Sequence, residues 1–163
     1  MSLSIIGGLS EAPSTPLDEQ GPPKRRNLVM ALGNQYFAID MMWIQEIVQL
    51  QPITQVHDTP ACIEGLMNLR GHIVPVINGG ERLKLGRTKH TERTCVVIFD
   101  FEEQTVGFTV DRVVRVVDLP EDESYTPTSE KAFRVDGEVL VRIDPQSLLE
   151  TESLLANWRG EDP

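Results

Sequence analysis

Leu66-Met67-Asn68-Leu69-Arg70-Gly71-His72-Ile73-Val74-Pro75-Val76-Ile77 reads as two short strands joined by one step. Leu66 to Leu69 and His72 to Ile77 are rich in β-formers, and the Arg70-Gly71 step between them is short enough to be a tight turn. Gly71 supplies whatever backbone angle that turn requires. The same grammar repeats outward. Before it, residues 28–32 and 36–39 flank Gly33-Asn34, a second hairpin with its turn at those two residues. Residues 44–50 (Ile-Gln-Glu-Ile-Val-Gln-Leu) fit either a strand or one helical turn. Met41, Met42 and Trp43 read as core fillers and a surface ring rather than a cofactor box.

After Ile77 the chain breaks at Gly79-Gly80, passes a short helix near residues 81–85, and enters a polar loop over 86–93. Residues 94–101 and 105–110 form a further hairpin around Glu102-Glu103-Gln104. Residues 113–117 make another strand, stopped by Pro120, and residues 121–131 make an acidic loop containing Pro127. The last clear strand, residues 138–143, follows Asp136-Gly137. Asp144 is placed to cap a C-terminal helix, Pro145 suits its first position, and Leu148, Leu149, Leu154, Leu155 and Trp158 give it an apolar stripe. Eight to ten short strands at hairpin spacing, with no βαβ rhythm, predict an all-β barrel or sandwich.

Residues 10–26 hold four of the eleven prolines and almost no apolar side chains, which predicts a flexible leader. Its closing Lys24-Arg25-Arg26 reads as a solvated charge cluster ahead of the first strand, with a small docking patch as the other reading. The 163 residues suit one domain, or two small lobes sharing a core. A formal net charge of −10 argues against nucleic acid and anionic membrane as general partners, since both demand a basic face, although one local basic patch is compatible with it. No stretch of about 18 apolar residues predicts a membrane-spanning helix, and the first nine residues lack the pattern of a signal peptide. Cys62 and Cys95 form no CxxC pair and read as reduced thiols of a cytoplasmic protein.

A search for chemistry returns little. His57, His72 and His90 lie in separate segments without HxH or HxxxH spacing, so no metal is expected. Neither cysteine has a neighbouring histidine or a nucleophile signature. No phosphate-cradling glycine motif is present, and Asp100, Asp111 and Asp144 at strand ends read as turn and cap residues. No catalytic residue and no cofactor is predicted.

The motifs resemble the CheW-like family of chemotaxis coupling proteins. Residues 32–40 (Leu-Gly-Asn-Gln-Tyr-Phe-Ala-Ile-Asp) resemble the family's opening hairpin, and Ile44-Gln45-Glu46-Ile47 its V-x-E-I segment. Residues 59–77, from Thr59-Pro60 through Asn68-Leu69-Arg70-Gly71 to Pro75-Val76-Ile77, are similar to its TP-x-x-I-x-G-x-x-N-L-R-G-x-x-x-P-V motif. Residues 106–113 resemble its V-G-x-x-V-D-x-V. The resemblance implies two five-stranded SH3-like barrels sharing a core, followed by a C-terminal helix. It divides the chain into a leader (1–26), a two-lobed domain (27–150, with the lobes meeting near 86–93) and a helix end and tail (151–163). It implies a cytoplasmic, non-enzymatic adaptor, recruited to receptor arrays without entering the membrane. Its implied partners are the regulatory domain of a CheA-type histidine kinase and the cytoplasmic tip of a chemoreceptor. Glu46 and Arg70 match a charged pair of the receptor-facing region, while Ile44, Gly65, Gly107 and Val113 fall where the family's groove is lined.

Four departures stand out: Asn78-Gly79-Gly80 where the family has D-L-R, His57 where it often has proline, a short stretch between Leu119 and Gly137 without the usual Y-x-x-G strand, and Arg142-Ile143-Asp144 in place of L-D-L. They point to a divergent member. The alternative reading is a regulator of an accessory pilus or surface-sensing pathway that has lost one partner. A reading from another class is an enzyme or small-ligand receptor using the cleft between lobes. A free strand edge in the shortened second lobe leaves self-association open.

Overall fold

A computed structural model describes residues 23–101, 104–120, 131–145 and 148. Eleven strands run through these residues: β1 (Lys24–Leu32), β2 (Gln35–Asp40), β3 (Ile44–Gln49), β4 (Ile53–Thr54), β5 (Ile63–Leu69), β6 (His72–Asn78), β7 (Cys95–Phe101), β8 (Gln104–Val110), β9 (Arg112–Pro120), β10 (Lys131–Val135) and β11 (Glu138–Arg142). A 3-10 turn (Met41–Trp43) links β2 to β3, and a one-turn helix, α1 (Gly79–Arg82), follows β6. The strands form two sheets, ordered β10-β11-β2-β1-β9 and β3-β7-β8-β6-β5-β4. Each sheet joins two hairpins through a parallel contact between their second strands, β2 with β11 and β6 with β8. The expected all-β, two-lobed, SH3-like class is what the chain adopts. One sheet has the expected five strands, and the other has a sixth, the two-residue β4.

Three apolar clusters explain why particular strands carry unbroken hydrophobic runs. Leu28, Met30 and Leu32 of β1 join Phe37, Ile39, Ile77, Phe99 and Phe108 in a core built from both sheets. Val29, on the opposite face of β1, packs with Ala38, Leu119 and Leu140 inside the first lobe. β7 behaves in the same way, with Val97 and Phe99 on the shared core and Val96 and Ile98 on a core of the second lobe with Met67, Val74 and Val76. Because successive side chains point to opposite faces, a strand between two cores cannot alternate polar and apolar. Residues 28–32 and 95–99 are such strands.

The structure revises the sequence reading in several places. Residues 44–49 are strand, with the single helical turn lying just before them. Lys24-Arg25-Arg26 belongs to β1, opposite Pro120, Leu119 and Asp118 of β9, and Arg25 forms an ion pair with Asp40. The stretch before Gly137 holds β10, which pairs with β11 across Asp136-Gly137. The expected lobe boundary near residues 86–93 does not separate the sheets, since β6 before it and β8 after it are parallel neighbours. The first sheet is closed by β9, β10 and β11 from the far end of the chain, a long-range pairing that reading consecutive hairpins does not anticipate. At the C-terminal end Pro145 and Leu148 are helical, and the Leu148 N–H donates to the Asp144 carbonyl. The remainder of the predicted helix, with Leu149, Leu154, Leu155 and Trp158, lies outside the described residues, as do most of the predicted leader and the acidic loop.

Candidate partner-binding surface

The hairpin of β5 and β6 turns on two residues, both with left-handed backbone, Arg70 at φ 52° and Gly71 at φ 89°. A two-residue turn of this hand matches the twist of its strands only when both central residues take positive φ. Asp136 and Gly137 do the same between β10 and β11, at φ 52° and 83°. Aspartate tolerates that region, whereas a long unbranched cation rarely enters it. The Asn68 side chain steadies the turn by accepting a hydrogen bond from the Gly71 N–H at 2.8 Å.

From this apex the Arg70 guanidinium forks onto Glu46 of β3, with Nη1 to Oε2 at 2.6 Å and Nη2 to Oε1 at 2.7 Å. β3 and β6 are separated in the sheet by β7 and β8. A flat sheet would hold them about 14 Å apart, so the contact reports a sheet curled on itself. The fork holds the Glu46 carboxyl below its ordinary pKa and Arg70 above its own, through the charge-assisted hydrogen bonds. The Arg70 side chain is 68 % exposed and that of Glu46 23 %. The pair lies in an open groove of about 620 Å³, with Gln45, Leu69, His72, Ile73, Pro75 and Gln104 among its lining residues. Ile73 is 58 % exposed, an apolar side chain left uncovered beside a fixed cation.

The other four predicted residues do not join this pair. Ile44 and Val113 are half-buried and pack against the shared core. Gly65 is buried in β5 at φ 142°, where a Cβ would sit 2.1 Å from the Thr54 carbonyl oxygen. Gly107 is buried in β8, where a Cβ would come 2.7 Å from Val96 Cγ1. The two glycines therefore permit close backbone approach within the second sheet, and Ile44 and Val113 mark the margin where the lobes meet.

Sequence reasoning missed a second polar cluster. Glu64 is buried, its side chain 4 % exposed, and it accepts a hydrogen bond from Asn78 Nδ2 at 2.6 Å. His90 Nε2 lies 2.9 and 3.0 Å from the two Glu64 oxygens, and Arg87 stands 3.6 Å away. Asn78 Oδ1 accepts from the Glu81 and Thr88 N–H groups, capping α1 and holding the loop that follows. Gly79 and Gly80 fit because a Cβ on either would lie 2.1 or 2.0 Å from a carbonyl oxygen, that of Thr109 or of Gly86. The departure at residues 78–80 is thus a packed, hydrogen-bonded unit. An asparagine ending a strand before a short helix was the available signal, as a capping residue.

Cys62 and Cys95 are half-buried free thiols, and burial pushes the Cys62 thiol above its ordinary pKa, away from the reactive thiolate. Among the described residues no three His, Cys, Asp or Glu side chains are grouped to hold a metal ion, and no helix is long and apolar enough to cross a membrane.

A family model described as the CheW-like domain matches residues 26–153. The chemotaxis protein CheW of Klebsiella aerogenes is 31 % identical over 138 residues, covering 78 % of this chain and 82 % of that protein. Its namesake from Thermotoga maritima is 27 % identical over 131 residues, covering 76 % and 86 %. The crystal structure of the scaffolding protein TtCheW from Thermoanaerobacter tengcongensis matches with a TM-score of 0.68 at 26 % identity, covering 85 % of this chain and 96 % of that one.

Proposed function

The chain belongs to the CheW-like domain family, and from that premise we propose that it is a non-catalytic adaptor coupling chemoreceptors to a CheA-type histidine kinase. The observation that carries the reading is the Arg70–Glu46 fork. It sets a charged, accessible pair at a hairpin apex beside an exposed isoleucine, with both backbone and side chain fixed before any partner arrives. Pre-organisation of this kind lowers the ordering cost of association. In this reading Arg70 and Glu46 meet a partner in the receptor-facing region. Ile44 and Val113 line the margin between lobes, where an amphipathic helix of the receptor tip would lay its apolar face. Gly65 and Gly107 keep the backbone beneath these surfaces in place. The adaptor works in the cytoplasm, on receptor arrays, by holding two partners at once so that the conformation of one biases the other.

The second reading is a regulator of an accessory pathway that has lost one partner, raised by the departures at His57 and at residues 78–80, 119–137 and 142–144. Residues 78–80 pack into the Glu64 cluster and β10 pairs with β11, and the number of partners retained decides between the two readings.

Pull-downs of the purified protein against a kinase regulatory domain and a receptor signalling fragment test the proposal. Both should be retained, and Arg70→Ala should weaken at least one by about tenfold or more, as for loss of a fixed interfacial arginine, with the folded circular-dichroism spectrum kept. Binding to one partner alone would favour the regulator. Binding to neither, or indifference to Arg70→Ala, would sink the adaptor reading in this form.

A further inference from the structure

Residues 84–93 carry Lys84, Arg87, Lys89 and Arg93 against a single carboxylate, Glu92, a net +3. The whole chain carries −10, so the remaining residues together carry −13. Lys84, Arg87, Lys89 and Arg93 are all exposed, and Lys84, Lys89 and Arg93 form no ion pair with any described residue.

The segment that displays them is built, not slack. At its start Thr88 is buried, with its N–H donating to Asn78 Oδ1, its carbonyl accepting from Asn78 Nδ2, and its Oγ1 accepting from the Gly80 N–H. At its end Thr94 is buried and donates from Oγ1 to the Lys89 carbonyl at 3.0 Å, while the Thr91 N–H donates to that same Oγ1. The Thr94 N–H closes the turn on the Thr91 carbonyl. The turn therefore holds the backbone from Lys89 to Thr94 in one compact loop, with Lys89 and Arg93 near its two ends and Arg87 two residues before Lys89. Between the anchors, His90 leans on buried Glu64. Like charges gathered on one short, ordered loop repel, and no ion pair with a described residue offsets that repulsion at Lys89 or Arg93.

We propose that this loop docks a short acidic segment of a partner protein, a run of aspartate and glutamate carboxylates that bridges Arg87, Lys89 and Arg93. The charge distribution selects that class. Duplex nucleic acid and anionic bilayers are extended polyanions, and they would meet the −13 of the remaining chain as well as the patch. A short peptide engages only what lies within about 8 Å, the screening length at physiological salt. Arginine forks onto carboxylates, and a loop already ordered loses little freedom on binding. The site is separate from the Arg70–Glu46 groove and does not depend on the adaptor reading.

Fluorescence anisotropy of a labelled octaglutamate peptide with the full chain tests it, alongside phosphatidylglycerol vesicles and a short DNA duplex. The peptide should bind, and more weakly at about 0.15 M than at about 0.02 M salt. Arg87→Gln/Lys89→Gln/Arg93→Gln should weaken it by about tenfold or more, whereas Lys24→Gln/Arg26→Gln, at exposed cations of β1, should change it less than about twofold. Because Arg87 also approaches Glu64, Lys89→Gln/Arg93→Gln provides a second variant that spares the buried cluster and should still show a loss. Absence of peptide binding at low salt, an equal loss in the β1 control, or preference for vesicles or duplex would overturn the proposal.

Discussion

Arg70 sits in a backbone region that suits glycine or asparagine better than a long cation, at φ 52°. Its fork onto Glu46 is the compensating contact. Fold and function can therefore be separated at this one position. Arg70→Asn keeps a residue that tolerates the left-handed turn while removing the guanidinium. Its melting temperature should equal or exceed that of the parent while partner binding falls, and thermal denaturation beside the pull-down reads both. The pair also has a pH signature. A carboxyl whose folded pKa lies below its unfolded one adds stability above the unfolded value, and loses it as pH falls through the folded one. In a carbon-13 titration Glu46 should titrate below the ordinary carboxylate range, and it should return to that range in Arg70→Asn. A midpoint that did not move would mean the fork is not formed in solution.

The link from β6 into α1 shows how an element can be misread from its residues. Taken singly, Asn78-Gly79-Gly80 loses a charge and an anchor; in place, Asn78 caps the helix, grips Thr88 and satisfies buried Glu64. Restoring the family's usual acid here should therefore harm this chain. Asn78→Asp would set a second carboxylate against Glu64, where Asn78 Nδ2 now lies 2.6 Å from it, at an expected cost of about 2–4 kcal/mol in urea denaturation. The loss should shrink as pH falls and one of the two carboxyls takes up a proton. It should shrink also in a double variant with Glu64→Gln, whose amide donates where the carboxylate accepts. Additive losses in that cycle would contradict the coupling. The strand β10 teaches the opposite lesson, because its signal was in view. Asp136-Gly137 marks a two-residue hairpin, which needs a partner strand on each side, and Phe133 and Val135 are the inward positions of the missing one.

At the scale of the molecule, the lobes are coupled by the core they share. Phe99 and Phe108 are fully buried there, with ring centroids 6.2 Å apart. Phe99→Ala should cost about 3–5 kcal/mol and move one cooperative urea transition in which circular dichroism and amide exchange in β2 and β8 coincide. Two separated transitions would show lobes that fold independently. The amino-acid sequence alone was enough for the strand-and-turn alphabet and for the tight turns at Gly33-Asn34 and Arg70-Gly71, because hairpins and local motifs are short-range; Glu46 with Arg70 came from the family resemblance. It left undecided which sheet each hairpin joins. β1 pairs with β9, more than eighty residues later, and β2 with β11 beyond that. Such pairings are selected by which apolar faces can be buried together, not by neighbouring residues. Only the folded chain decided that β1 and β7 each serve two cores, that Gly65 and Gly107 are needed for close packing, and that a buried glutamate holds a basic loop in place. Each of these depends on groups that meet only after the long-range contacts have formed.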